Sequence, residues 1–171
     1  VLYKRKRVIK IAGNIEILNN LWYNAINSIN LNLTRKNMNI EYKDIHNFEQ
    51  EDLERLFLSV EWSSGHFPDK LVVAMKNFNT VYSAWDRSKL VGMVCVMDDG
   101  IMNAYVHYLL VDPDYHGKTI GRTLVNMVKE KYKEYMRIVV VAYNDELHFY
   151  EACGFEKSND TSPMFITSLW T

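Results

Sequence analysis

The sequence predicts a single α/β (α+β) layer domain, built on a mixed and mostly antiparallel sheet, behind a basic helical segment. Two observations predict it. Between residues 80 and 111, β-rich runs follow one another with only short turns between them, which is typical of antiparallel strands. After residue 111, an amphipathic helix precedes a short apolar run, which is typical of a β-α-β crossover. The length of 171 residues suits one domain.

Residues 1–37 differ in charge from the rest of the chain, and we expect a basic helical extension or a non-native leader. They hold seven basic residues against one acid, whereas residues 38–171 hold 13 basic and 20 acidic residues. The two net charges are therefore +6 and −7. Polar interruptions and the missing cleavage site argue against a signal peptide. The composition break favours Met38 as the natural start, so deleting residues 1–37 should leave the activity intact.

The same segment has an apolar face. Apolar residues recur in steps of three and four from Ile11 to Leu33, which indicates one side of a helix. A basic amphipathic helix can lie on an anionic membrane surface, or pack on its own domain or on a second copy. The sequence leaves these uses open beside the simpler one of an appended helix.

The domain begins with a short strand and two helices. Residues 39–43 alternate and predict the strand. Asn47 followed three positions later by Gln50 predicts a capping box at the start of the first helix. A loop covers residues 61–67, and Pro68 suits the first turn of the second helix.

Antiparallel strands come next. Residues 80–85 and 90–97 are β-rich and flank residues 86–89, which predict a four-residue hairpin loop. Residues 98–100 predict a second turn. A long strand is expected over residues 101–111.

The last third predicts the crossover. Residues 121–136 have helical periodicity, and residues 138–142 are apolar without alternation, as in a parallel strand covered on both faces. A short helix over residues 145–153 should end at Gly154, which suits the position after a helix. Residues 164–170 predict a closing strand.

Composition excludes several classes of protein. Seven Gly and three Pro are too few for a collagen or low-complexity chain, and two Cys exclude a disulfide scaffold. The pattern contains no paired Cys spacing for zinc, and no apolar run reaches the roughly 18 residues of a membrane span. The net charge of −1 argues against nucleic-acid binding.

The stretch over residues 109–122 carries the clearest chemistry. A strand ends, a loop with Gly117 follows, and a helix begins near Gly121. Free backbone N–H groups and the positive end of a helix dipole suit a phosphate group there, with Lys118 and Arg122 adding charge. An ordinary strand-to-helix turn explains the pattern equally well.

A P-loop is the rival for the same residues, because Gly117, Lys118 and Thr119 match its end. The first Gly of that motif would fall on Asp112, whose charge would repel phosphates. The loop also follows a long antiparallel section, which disfavours an ATP-binding protein.

Two motifs resemble those of the GNAT superfamily of acyl-CoA-dependent N-acyltransferases. Residues 116–121 (His-Gly-Lys-Thr-Ile-Gly) resemble its motif A, [QR]-x-x-G-x-[GA], and residues 149–155 resemble its FYExxGF segment. Asn144 stands where the family often has Asn. The resemblance runs from about residue 39 to residue 170 and implies a central sheet with helices on both faces.

Within the family, the Trp-Ser-Ser-Gly loop at residues 62–65 and residues 104–108 resemble small bacterial and plant aralkylamine-N-acetyltransferase-like members. Two positions depart from motif A. His116 replaces Gln or Arg, and Thr119 replaces the first Gly. Because a β-branched residue resists positive φ, the loop must adopt another conformation or accept strain.

The resemblance implies acetyl-CoA as co-substrate, with no metal. Pantetheine would lie along the strand at Leu109, Leu110 and Val111, in a groove between that strand and residues 138–142. The remaining cofactor-binding residues implied by the motifs are His116, Gly117, Lys118, Thr119, Ile120, Gly121, Arg122 and Asn144.

The resemblance also implies direct attack of an amine on the thioester. Tyr150 matches the family's general acid, and a backbone N–H near Leu109 would hold the oxyanion. A primary amine has a pKa near 10, so a base is needed. His107, which we expect on the same strand face as Leu109, is one candidate; His66 or a chain of water molecules are the others.

Further side chains are candidates for the acceptor side. Glu61 and Asp112 are expected as exposed loop acids that could steer a cationic amine. Core packing is the alternative for the aromatic set, and packing is expected of Cys153. The candidate aromatic pocket consists of Trp62, Phe67, Tyr82 and Tyr105.

We therefore expect a cytoplasmic N-acetyltransferase that acts on a small-molecule amine. The net negative charge of residues 38–171 is compatible with a cationic amine as the acceptor. Family members often form homodimers, and the sequence leaves the oligomeric state open. The alternative is a module that binds acyl-CoA as a sensor without turnover.

Overall fold

The computed structural model describes residues 39–166, and these form a five-stranded mixed sheet with helices on both faces. The strands stand in the order of the chain, antiparallel except for the parallel last pair, as the sequence predicts. Their bounds are β1 (Ile40–Asp44), β2 (Thr80–Asp86), β3 (Lys89–Asp98), β4 (Asn103–Val111) and β5 (Arg137–Val140).

Four α-helices lie between and after the strands: α1 (Gln50–Ser59), α2 (Pro68–Asn77), α3 (Ile120–Lys131) and α4 (Leu147–Ala152). Three single-turn 3-10 helices join them, at Ser63–His66, Pro113–Tyr115 and Asn144–Glu146. Pro68 occupies the first turn of α2, as predicted. Gly154 follows the end of α4 with φ +90°, which confirms its expected role.

Each face of the sheet has its own buried core. On the first face, Leu53, Phe57 and Met75 of α1 and α2 pack on the sheet. On the second face, Leu124 and Val128 of α3 do so. Side chains on one face of the central strand β3 belong to the first core, and those on its other face belong to the second core. Helices therefore pack on both faces of this strand.

Two turn predictions are corrected. Asp86 pairs with Lys89, so the hairpin loop has two residues rather than four, and Arg87 takes φ 57°. Strand β4 begins two residues later than predicted. The Asp99 carboxylate accepts backbone N–H groups from Ile101 and Met102, which holds these residues in the turn.

The predicted capping box is wrong. Helix α1 begins at Gln50 after Glu49, and no side chain caps its first turn. Helix α3 ends at Lys131 rather than at residue 136. The next residue is Tyr132, whose hydroxyl lies 2.6 Å from Thr80 Oγ1 in the core.

The strand predicted to be covered on both faces is half exposed. Strand β5 is the last strand of the described sheet, and Val139 is 38% exposed. Within the predicted closing strand, Met164–Ile166 has no regular structure, and the rest lies outside the described residues. The N-terminal predictions for residues 1–37 and Met38 also lie outside them. Among residues 39–166, no helix has the length and apolar character that crossing a membrane requires.

Candidate active site

Residues 112–122, called the motif-A loop below, connect β4 to α3 through two left-handed residues. Gly117 has φ +71° and Thr119 has φ 62°. The loop therefore accepts strain at the β-branched Thr119, one of the two outcomes expected from the sequence. The Thr119 hydroxyl donates to the Lys118 carbonyl at 2.7 Å, and α3 begins at the next residue. The N–H groups of the first turn of α3 have no earlier turn of that helix to bond.

The side chains of the motif-A loop bind the loop's own backbone. His116 Nε2 lies 2.8 Å from the Val111 carbonyl at the end of β4. Lys118 Nζ donates to the Asp114 carbonyl at 2.8 Å and lies 4.4 Å from the centre of the Tyr115 ring. Arg122 is exposed on the first turn of α3. The arrangement places the cationic side chains of Lys118 and Arg122 beside the first turn of α3.

Small residues let the helices approach the loop closely. A Cβ at Gly92 would lie 3.2 Å from both Ile120 Cγ2 and the Leu110 carbonyl oxygen. A Cβ at Gly121 would lie 3.3 Å from Phe149 Cζ. The start of α3 therefore sits tightly against β3 on one side and α4 on the other.

Strand β5 pairs with only the first half of β4. Residues 103–106 of β4 pair with residues 137–140 of β5, whereas Leu109, Leu110 and Val111 have no partner in β5. On the other edge, these three residues pair with β3. Within residues 39–166, the second half of β4 therefore presents one open edge that ends at the motif-A loop. The groove expected between β4 and residues 138–142 would lie along this edge.

A β-bulge at His107 changes which way the side chains of β4 point. Cys95 pairs with Tyr108 and Val96 with Val106, which leaves His107 as the extra residue. Leu109 packs with the second core, whereas the His107 ring centre lies 4.2 Å from that of Tyr108 on the first face. The expectation that His107 shares a face with Leu109 is therefore wrong, because the bulge shifts the alternation by one residue.

His107 belongs to an aromatic group on the first face of the sheet. Its ring lies 5.8 Å from Phe78 and 5.7 Å from Tyr105, and Trp62 lies 5.7 Å from Tyr108. His107 is exposed at its surface, but partial desolvation by this packing lowers its pKa. The imidazole is therefore held toward its neutral form, which can accept a proton.

Only part of the predicted aromatic pocket assembles. Trp62 and Tyr105 belong to the group around His107, whereas Tyr82 lies in the second core, across the sheet. Phe67 is exposed beneath Lys70, and His66 is exposed at the end of its 3-10 turn.

Tyr150 lies on α4, between Phe149 and Phe155. The ring centres are 5.1 and 5.6 Å away. Burial raises the pKa of Tyr150 to about 12, and the charge of Glu146 adds to the rise. Tyr105 is near enough to contribute to the same rise, which relates α4 to the aromatic group on β4.

Other motif residues of the C-terminal part support the backbone. Lys129 Nζ donates to the Cys153 carbonyl at 2.7 Å and so stabilises the end of α4. The Cys153 side chain is buried, in agreement with its expected packing role. Asn144 begins an exposed 3-10 turn.

The two acids proposed to steer an amine have different environments. Asp112 is 5% exposed and bound to Lys89, so the expectation of an exposed loop acid is wrong there. Glu61 is exposed and takes φ 61°. It follows the end of α1, where its N–H donates to Leu58 and that of Trp62 donates to Phe57.

Sequence reasoning missed the residues beneath the motif-A loop. Lys89 and Arg55 pair with Asp112, and the Tyr115 hydroxyl donates to Asp86 at 3.0 Å. An acid directly after an apolar strand was the available signal, because a carboxylate at the end of a buried strand needs a partner. No cluster of His, Cys, Asp or Glu in residues 39–166 could hold a metal ion.

Comparison with known proteins agrees with this geometry. Residues 77–157 match the acetyltransferase (GNAT) domain. The chain is also 30% identical over 132 residues to the uncharacterized N-acetyltransferase ycf52 of Pyropia yezoensis, covering 71% of this chain and 75% of that protein. The protein is a GNAT acetyltransferase. The ycf52 protein of Porphyra purpurea is 26% identical over the same length and with the same coverage.

GNAT structures share the fold. A GNAT-family acetyltransferase from Streptococcus pneumoniae superimposes with a TM-score of 0.66 at 24% identity, over 76% of this chain and 99% of that one. This GNAT protein is therefore an enzyme of acyl transfer, in a family that generally uses acetyl-CoA and acts on small-molecule or protein acceptors.

Proposed function

We propose that the enzyme transfers an acetyl group from acetyl-CoA to the primary amine of a small molecule. The open edge of β4 carries the proposal, because an extended pantetheine chain can pair there as an added strand. Leu109, Leu110 and Val111 would supply the backbone groups. The same edge ends at the motif-A loop, so a thioester and a pyrophosphate can be bound in one continuous track.

The residues of the motif-A loop suit a pyrophosphate. The left-handed conformations of Gly117 and Thr119 turn the backbone into the start of α3, whose dipole favours an anion. Lys118 and Arg122 add positive charge nearby. Asn144 and His116 are the remaining proposed contacts, and local donors of this kind are necessary because residues 38–171 have an acidic balance.

We assign proton transfer to His107 and Tyr150. Neutral His107 takes a proton from the amine, and a backbone N–H near Leu109 holds the oxyanion that forms on attack. Tyr150 donates to the sulfur as the carbon–sulfur bond breaks. Counted from the neutral amine, one amine proton ends on the sulfur and the amine becomes an amide; an ammonium ion first releases one further proton to solvent.

The raised pKa of Tyr150 constrains this assignment. A phenol with a pKa of about 12 remains protonated at neutral pH and is always able to donate. A thiol has a pKa of about 8.5 and is the stronger acid, so full transfer to the thiolate is unfavourable alone. The transfer therefore needs a proton returned to the phenolate, which the protonated base can supply.

The experiment is release of free CoA by the purified protein with acetyl-CoA and a panel of primary amines. Tyr150→Phe should lower kcat by about 100-fold, within the range for one acid catalyst, with little change in Kd for acetyl-CoA. Tyr42→Phe, on β1 and away from α4, is the matched control and should retain full activity. Binding of acetyl-CoA without turnover on any amine would contradict the proposed transfer and favour a sensor.

A further inference from the structure

We propose that Asp112, together with Lys89 and Arg55, forms a positioning site that holds the motif-A loop in its phosphate-binding conformation. The proposal rests on the function proposed above. Asp112 itself would contact no substrate. It would act through the backbone of the loop that follows it.

The two cations come from different elements of the fold. Lys89 is the first residue of β3, and its Nζ lies 2.8 Å from Asp112 Oδ2. Arg55 Nη1, on α1, lies 3.7 Å from the same oxygen. A buried carboxylate is costly unless it is paired, so these contacts fix Asp112 where β4 ends.

The other side of Asp112 organises the loop. Its Oδ1 accepts the N–H of Asp114 at 3.0 Å, and its carbonyl accepts the N–H of Tyr115 at 2.8 Å. Its own N–H donates to the Val91 carbonyl at 2.9 Å. One residue therefore joins the first turn of the motif-A loop to β3.

A second contact holds the middle of the loop to the same hairpin. The Tyr115 hydroxyl donates to Asp86 Oδ2 at 3.0 Å, and Lys89 Nζ lies 5.1 Å from the Tyr115 ring centre. Lys118 lies on the same ring. Lys89 thus contacts both Asp112 and Tyr115. The motif-A loop is therefore held in place by residues on both sides of the β2–β3 turn.

The sign of one mutational effect distinguishes positioning from simple charge. Asp112 is an anion close to a proposed site for anionic phosphates. If charge alone mattered, Asp112→Asn would remove a negative charge and leave Lys89 without this partner, and CoA binding would become stronger. If Asp112 positions the loop, the same change weakens binding, because the loop loses its fixed first turn.

The experiment compares acetyl-CoA with acetyl-pantetheine, a thioester donor without phosphates. In Asp112→Asn, kcat/KM for acetyl-CoA should fall by about 10-fold through KM, while kcat/KM for acetyl-pantetheine stays within 2-fold. Calorimetry should show weaker CoA binding to the same extent. Glu130→Gln, which breaks the exposed pair with Lys133, is the matched control and should change neither donor.

If Asp112→Asn does not fold, Lys89→Met replaces it and should show the same selective loss with acetyl-CoA. Lys89→Arg keeps the positive charge and should retain the wild-type preference for acetyl-CoA. Tighter CoA binding by Asp112→Asn, or an equal loss with both donors, would overturn the positioning role. The proposed function fails separately, if the wild-type protein binds no CoA.

Discussion

Gly121 and Phe149 are in contact range of one another: a Cβ added to Gly121 would lie 3.3 Å from Phe149 Cζ. Gly121 closes motif A and Phe149 opens the FYExxGF segment, so the two family motifs meet in space. The contact sets the distance between α3, which starts at the motif-A loop, and α4, which carries Tyr150.

Gly121→Ala should therefore affect the reaction more than the stability. The added methyl moves Phe149 and α4 by a few tenths of an ångström, while alanine improves helix propensity by up to about 1 kcal/mol. We expect kcat to fall several-fold with Tm nearly unchanged, measured by CoA release and thermal unfolding. Asn126→Ala, on the exposed side of α3, is the control. A normal kcat in Gly121→Ala would show that α4 tolerates the displacement.

Thr119→Gly should stabilise the protein. A non-glycine residue at φ 62° costs of the order of 1 kcal/mol or more, and glycine removes that cost at the expense of some unfolded-state entropy. We expect the free energy of unfolding to rise by about 0.5–1 kcal/mol in urea titrations. Thr123→Gly, four residues later inside α3, should instead lower it by a similar amount. Equal losses from both substitutions would mean that Thr119 is unstrained.

The pH dependence of the reaction should identify the base. Because desolvation lowers the pKa of His107, kcat/KM should rise with pH through a midpoint below 6.5 as His107 loses its proton. His107→Gln should remove this step and lower kcat by about 100-fold. His66→Gln, at the exposed alternative position, should retain both. Loss of the step in His66→Gln instead would transfer the role of base to His66.

The same residue should also influence acid stability. The folded state binds the His107 proton less readily than the unfolded state. The contribution of neutral His107 to the free energy of unfolding is therefore fully present above about pH 6.5. This contribution is lost as the pH falls from there through the lower pKa of the folded state. Urea unfolding between pH 7 and pH 5 should show a smaller decline for His107→Gln than for wild type. Parallel declines would argue against a desolvated imidazole.

Local sequence signals predicted the elements and the loop well. Pro68 and Gly154 mark helix ends through their own backbone preferences, and glycines mark the motif-A loop, so neighbouring residues were sufficient. The bulge at His107 had no such signal, because residues 103–111 contain neither Gly nor Pro. Its position depends on how β3 pairs with β4.

Local patterns could not show which residues pair with Asp112. Lys89 lies 23 positions earlier in the chain, and Arg55 lies on α1, which is farther away still in the sequence. A polar residue after a strand is usually exposed, and only the assembled sheet brings these cations together. The charged turn before β3 therefore looked like a hairpin loop alone.

The bulge at His107 also decides which way the second half of β4 faces. If β4 kept all its residues and paired with β3 without the bulge, Tyr108 and Leu110 would exchange sides with Leu109 and Val111. The Tyr108 ring would then enter the layer beneath α3, and the side chains of Leu109 and Val111 would face α1 and α2. Deleting His107 would instead remove the bulge and leave these four side chains on their present sides, so the one extra residue lets each half of the strand face its own core.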